Sequence, residues 1–188
     1  MYSGRGFREW EIGDIDVIKD GDTYHLFHLV LPNHDYIAHA VSNDCINWKR
    51  VKNALFVGDP GEWDDDMIWT MNVIRNGHVF EMYYTGLSQK ENGHLQRIGK
   101  AVSSDLFHWS KVNSAPFPIE PAEPHYESKV DNLRQWVSFR DPYIYEEDKK
   151  RYLLVCARVK TGAISRRGCV GLIRLDGEKA HLERPMFV

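Results

Sequence analysis

The segment Ala40-Val41-Ser42-Asn43-Asp44-Cys45-Ile46-Asn47-Trp48 returns 61 residues later as Ala101-Val102-Ser103-Ser104-Asp105-Leu106-Phe107-His108-Trp109. A repeat of this size marks a stacked supersecondary module, because one module cannot bury its apolar faces alone. Each copy follows the same kind of text: a strand-like run, a tight turn at Asp20-Gly21 or Asn76-Gly77, then an aromatic strand, Tyr24-His25-Leu26-Phe27 or Phe80-Glu81-Met82-Tyr83-Tyr84. Short antiparallel strands repeated in this way read as blades of a β-propeller.

Three units follow, at about residues 10–57, 58–118 and 130–188. Strands are expected at 12–18, 24–31, 36–41 and 48–51 in the first and at 69–74, 79–85, 97–103 and 109–112 in the second. The prolines at 116, 118, 121 and 124 predict a long surface connection without regular ladders. The third unit has strands at 137–145, 152–159 and 169–175, and its close at Leu175-Asp176-Gly177 lacks the repeated tryptophan. The expectation is an all-β chain of about three antiparallel four-stranded blades. A propeller closes at about 4–8 blades, so the chain reads as a fragment of a five-bladed ring, with residues 184–188 running into another blade.

The net charge of −3, from 24 basic and 27 acidic residues in short mixed runs, gives no basic stripe for nucleic acid or an anionic membrane. Weakly charged ligands are favoured. Cys45, Cys156 and Cys169 form neither a metal pair nor a disulfide framework and read as buried free thiols. The nine histidines have no paired metal spacing, so no metal and no cofactor is expected. Asp64-Asp65-Asp66 reads as a solvated acidic turn rather than a cation site. The first residues lack the apolar core of a secretory signal, which makes cytoplasmic the default location.

Propeller ligands sit where the innermost strands gather at the axis. Asp14 stands ten residues before Tyr24, and Asp141 eleven before Tyr152, so the two occupy nearly equivalent positions in different units. Trp69 and Thr70 fill the matching place in the second unit. Two carboxylates and a flat ring converging on one pocket is what glycoside hydrolysis requires. Arg140, beside Asp141, pairs locally or reaches a ligand oxygen. Asp16 shares Asp14's strand face and is the reserve catalytic candidate. Trp48 and Trp109 recur with the repeat and are expected to pack between sheets, whereas Trp69 breaks it and is the candidate for sugar stacking.

The chain resembles the five-bladed β-propeller glycosidases of glycoside hydrolase families 32, 43, 62 and 68, most nearly family 32, the invertase, levanase and inulinase group. Phe139-Arg140-Asp141-Pro142 is similar to that family's Arg-Asp-Pro motif, and Tyr24-His25-Leu26-Phe27 to its Tyr-His-Leu-Phe strand. His39-Ala40-Val41-Ser42-Asn43-Asp44 with Trp48 resembles its His-Ala-x-Ser-x-Asp-x-x-x-Trp pattern, and Tyr83-Tyr84-Thr85-Gly86 its Tyr-Thr-Gly strand end.

The resemblance implies a glycosidase acting on fructosides or related furanosides, a carbohydrate partner, Asp14 as nucleophile and Asp141 as transition-state stabiliser. His39 is implied to line the pocket, beside Trp69 and Arg140, which their own positions already make candidate substrate contacts. The family's Asn-Asp-Pro-Asn-Gly is here Gly13-Asp14-Ile15-Asp16-Val17, and the Asp14-to-Tyr24 spacing fits family 43, where the corresponding Asp is a general base. Retention and inversion both stay open. The family's general-acid Glu is expected beyond residue 188, which leaves these residues alone nearly inactive. The alternatives are a non-catalytic carbohydrate-binding propeller and an inverting arabinofuranosidase- or xylosidase-like enzyme of the family 43 type.

Overall fold

Three antiparallel sheets follow one another along the chain, in a computed structural model that describes residues 11–128 and 136–187. The first holds β1 (Glu11–Asp20), β2 (Thr23–Leu31), β3 (Tyr36–Ser42) and β4 (Lys49–Arg50), with a short β5 (Leu55–Phe56) also pairing with β3. The second holds β6 (Met67–Asn76), β7 (Val79–Leu87), β8 (Arg97–Ser103) and β9 (Ser110–Lys111). The third holds β10 (Arg140–Glu147), β11 (Lys150–Arg158), β12 (Gly168–Asp176) and β13 (Lys179–Phe187). Two single-turn 3-10 helices, Gln89–Glu91 and Ile164–Arg166, interrupt the sheet text. The expected unit boundaries at residues 10 and 130 lie outside the described residues.

Hairpin geometry follows from the turn residues. Gly21, Gly77 and Gly177 take φ of +54°, +60° and +58°, and Asp148-Lys149 take +49° and +62° between β10 and β11. Such left-handed turns match the twist of the strands that they join.

The repeated segment is a turn held by its own polar residues. Asp44 Oδ1 accepts from Ile46 N–H at 2.9 Å, Asn47 N–H at 2.7 Å and Ser42 Oγ at 2.9 Å. Asp105 repeats this with Phe107 N–H and His108 N–H, both at 2.8 Å. The His108 ring, its Nδ1 2.7 Å from Asp105 Oδ2, and these backbone bonds at both sites stabilise the ionised carboxylates and hold both groups below the usual range. Trp48 Nε1 donates to Cys45 O at 3.1 Å, and Trp109 Nε1 to Leu106 O at 2.9 Å. The motif is conformational: its Ser, Asp and Trp close local bonds.

Packing between sheets explains the aromatic strands. Phe27, Leu29 and Ile37 of the first sheet meet Met71, Phe80, Met82 and Tyr84 of the second in one buried cluster. Alternate residues of the second sheet, Tyr83 and Ile98, face Ile144, Leu153, Val155 and Ile173 of the third. Trp109 packs edge-on to Phe27 at 5.7 Å, whereas Trp48 is half-buried and joins none of the core clusters. Only one of the two repeated tryptophans therefore packs as expected.

Four further expectations are corrected. The Pro-rich connection is not a surface loop: Phe117, Ile119 and Tyr126 are buried between the second and third sheets. Ile119 exchanges both backbone bonds with Ile98, and Tyr126 Oη accepts from Leu172 N–H at 2.9 Å and donates to Glu183 O at 2.7 Å. Residues 184–187 are the end of β13 rather than the approach to another blade, because an edge strand tolerates Pro185. Asp64 and Asp65 are buried, not solvated. Asp64 Oδ2 accepts from Tyr84 Oη at 2.8 Å and lies 2.6 Å from Lys111 Nζ, and Asp65 accepts from Gly61 N–H and Gln89 N–H. Cys45 and Cys156 are exposed and Cys169 is half-buried, so the thiols are not core groups.

Candidate active site

The innermost strand of each sheet breaks register at one place. In β1 the shift falls between Ile12 and Ile15, at Gly13-Asp14; in β6 between Trp69 and Met71, at Thr70; in β10 between Arg140 and Tyr143, at Asp141-Pro142. A bulge re-aims a side chain that would otherwise lie along the ladder. Local chemistry makes the first and third bulges possible. A Cβ on Gly13 would come within 3.1 Å of Leu31, Pro142 has no N–H for the ladder, and Asp141 takes φ of +56°, a conformation that Asp tolerates better than most residues.

The three bulges open on one cavity of about 490 Å³. Asp14, Thr70 and Asp141 line it, together with Trp69, Arg140, Gln96, His34 and Trp136 and the apolar Leu29 and Leu31. Thr70 Oγ1 donates to Asp14 Oδ2 across the first two sheets. Arg140 Nε donates to Asp141 Oδ2 at 3.2 Å, and Asp141 N–H donates to the buried Thr85 Oγ1 at 3.1 Å. Trp69 is half-buried, its ring 5.6 Å from that of His34, whose pKa burial lowers. Two carboxylates, one guanidinium and two indoles thus share one concave surface.

Asp16 plays a different part from Asp14. Its Oδ2 accepts from Val73 N–H at 2.5 Å and from Asn72 Nδ2 at 3.2 Å, and burial raises its pKa above the ordinary value. It does not line the cavity. The reserve candidate is a stitch between inner strands, and its oxygens are committed to protein donors.

His39 is likewise placed elsewhere. It is fully buried, its ring 4.5 Å from that of Phe27 and its Nε2 3.0 Å from His25 Nδ1, and it lines no part of the cavity. The strand period of two puts His39 opposite Phe27 on the face between the first two sheets, away from the axis. The expected pocket histidine is a core histidine.

His34, Gln96, Thr85 and Trp136 were not found by sequence reasoning. Two of them had an accessible signal: Thr85 stands in the Tyr83-Tyr84-Thr85-Gly86 motif, and the 61-residue offset maps Gln96 onto Asp35, a polar residue entering the equivalent strand. Among the described residues, no group of three or more His, Cys, Asp or Glu side chains could hold a metal ion.

Comparison with known proteins meets this geometry. The model of the glycosyl hydrolases family 32 N-terminal domain matches residues 15–166, most of the chain, starting one residue after Asp14. A sucrose-6-phosphate hydrolase of Zymomonas mobilis is 27% identical over 169 residues, which is 83% of this chain and 30% of that protein. A levanase of Bacillus sp. (strain L7) is 29% identical over 146 residues, covering 70% of this chain and 14% of that protein. The chain therefore spans about a third or less of the length of these curated relatives. Fructan 1-exohydrolase IIa of Cichorium intybus superposes with a TM-score of 0.70 at 20% identity, over 93% of this chain and 32% of that one, a likeness of fold. The bulged inner strands, the Arg140-Asp141-Pro142 corner and the extent of the family match agree, and the chain belongs to glycosyl hydrolase family 32 through its N-terminal domain.

Proposed function

We propose that the chain carries the sugar-binding floor and two catalytic carboxylates of a hydrolase of fructosides or related furanosides. One observation carries the reading: Asp14 and Asp141, from the inner strands of the first and third sheets, reach the same cavity through equivalent bulges. In this reading Asp14 attacks the anomeric carbon, and Asp141 accepts hydrogen bonds from sugar hydroxyls that tighten as positive charge develops on the ring. Thr70 fixes the orientation of the Asp14 carboxylate, Arg140 that of Asp141, and Trp69 offers an apolar face to the sugar.

The reaction also needs an acid to protonate the leaving oxygen, worth about 10²–10⁴-fold. Among the described residues lining the cavity Asp14 and Asp141 are the carboxyl groups, and neither takes that role in this reading. The same observation supports a second reading, a carbohydrate-binding propeller without turnover.

The gene product in its full length, assayed on sucrose, inulin, levan and an arabinofuranoside without added metal, separates the two. Release of free sugar supports the hydrolase, and the first-formed anomer, followed by NMR, assigns Asp14 as nucleophile on retention or as general base on inversion. Sugar binding without release would leave the binding module standing.

A further inference from the structure

Gln96 is 1% exposed and yet lines the cavity. It stands one residue before β8, where the chain pairs with the entry to β10: Val137 N–H donates to His94 O at 2.7 Å, and Gln96 N–H to Val137 O at 3.4 Å. The side chain makes the next rung, its Oε1 accepting from Phe139 N–H at 3.0 Å and from Arg140 Nη1 at 3.5 Å. A backbone N–H can only donate, so this contact turns the amide oxygen toward Phe139 and the nitrogen away from it. Among the described residues, no group accepts from Gln96 Nε2. A nearly buried side chain, its oxygen committed to the protein, thus turns two N–H donors without a protein acceptor to the wall of a cavity, where a ligand oxygen can take them.

We propose that Gln96 is a ligand-binding residue, its Nε2 donating to a hydroxyl oxygen of a sugar seated beside Arg140. The backbone rung locks the amide beforehand, so the donor is presented without ordering cost when the ligand arrives. A hydroxyl accepts this bond and can donate its own proton onward to Asp141, which makes the pair selective for a polyol over an apolar ligand. The inference rests on the furanosidase reading of the cavity.

The test uses the full-length gene product and two substitutions. Gln96→Glu keeps an oxygen for Phe139 N–H and Arg140 and removes both donors, whereas Gln96→Met removes donors and acceptor together. Fructose and sucrose are the probes, with affinity read by calorimetry and folding by melting temperature. Gln96→Glu is expected to melt with the wild type and to bind fructose roughly 10- to 100-fold more weakly, and Gln96→Met to lose affinity and melting temperature together. Equal affinity in wild type and Gln96→Glu overturns the proposal and leaves the furanosidase reading intact.

If Gln96→Glu does not fold, monodeoxyfructoses are titrated against the wild type. One deoxygenation costing 10-fold or more supports the contact, and a flat series removes it. A wild type that binds neither fructose nor sucrose overturns the furanosidase reading itself, and this proposal with it.

Discussion

The carboxylate of Asp16 accepts from the side-chain amide of Asn72 at 3.2 Å, and the same amide accepts through its oxygen from Ile144 N–H at 2.9 Å. One residue of the second sheet therefore ties the innermost strands of the first and third, below the cavity that Asp14 and Asp141 line. The position of the two candidate catalytic carboxylates depends on that tie, because each stands within a few residues of a group that Asn72 holds.

Asn72→Ala removes both bonds and leaves Ile144 N–H without its acceptor, while Asp16 keeps the Val73 and Val17 N–H donors. One unsatisfied N–H and one lost hydrogen bond predict a loss of roughly 2–4 kcal/mol. Urea unfolding of wild type and variant measures it. A midpoint unchanged by the substitution would show that the inner strands hold their register without Asn72.

Acid should loosen the contact between the first two sheets. Burial lowers the pKa of His39 from 6.5 to about 3, and His25 and His28 shift in the same direction for the same reason. The fold holds these rings neutral, so their contribution is complete above pH 6.5 and is lost as pH falls from 6.5 toward 3. For His39 alone the loss is on the order of 5 kcal/mol at its limit. His39→Gln keeps a polar partner for His25 without titrating, and its melting temperature should fall less than that of the wild type between pH 7 and 4. Parallel curves for the two proteins would contradict this account of the buried histidines.

Gly99 is a packing glycine rather than a turn glycine. A Cβ there would stand 2.6 Å from both Trp63 Cη2 and Tyr84 Cζ, so Gly99→Ala should destabilise by about 1–3 kcal/mol through overpacking. Gly77→Ala is the contrast, since nothing lies within 4 Å and the cost comes from its φ of +60° alone, at about 1 kcal/mol. Thermal melts of both variants compare the two mechanisms. A Gly99→Ala protein as stable as wild type would mean that Trp63 moves aside freely.

What the sequence made legible was short in range. The repeated segment could be read because its bonds close within nine residues: Ser42 and Asp44 cap their own turn, and Trp48 returns to Cys45. Asp14 and Asp141 could be read because bulges at equivalent strand positions preserve their spacing from the following aromatic strand. Contacts between sheets left no such trace. Tyr126 reaches Leu172 and Glu183, and Gln96 reaches Phe139, across separations that follow no period. His39 was misplaced because the motif that carries the resemblance fixes its strand without saying whether its face meets the axis or a neighbouring sheet. Pro185 hid β13, since a proline reads as a strand breaker until the strand is known to lie at an edge.

The central claim is that the axial cavity is catalytic and that Asp14 performs the reaction. The most direct measurement is turnover of sucrose and affinity for fructose in the full-length gene product, compared between wild type, Asp14→Asn and Asp141→Asn. An amide at position 14 can neither attack the anomeric carbon nor take a proton from water, so Asp14→Asn should lose at least about 10²–10⁴-fold in kcat while sugar affinity largely survives. Asp141→Asn should lower kcat through weaker hydroxyl contacts in the transition state, with a smaller change in ground-state affinity. Full turnover by Asp14→Asn would contradict the account.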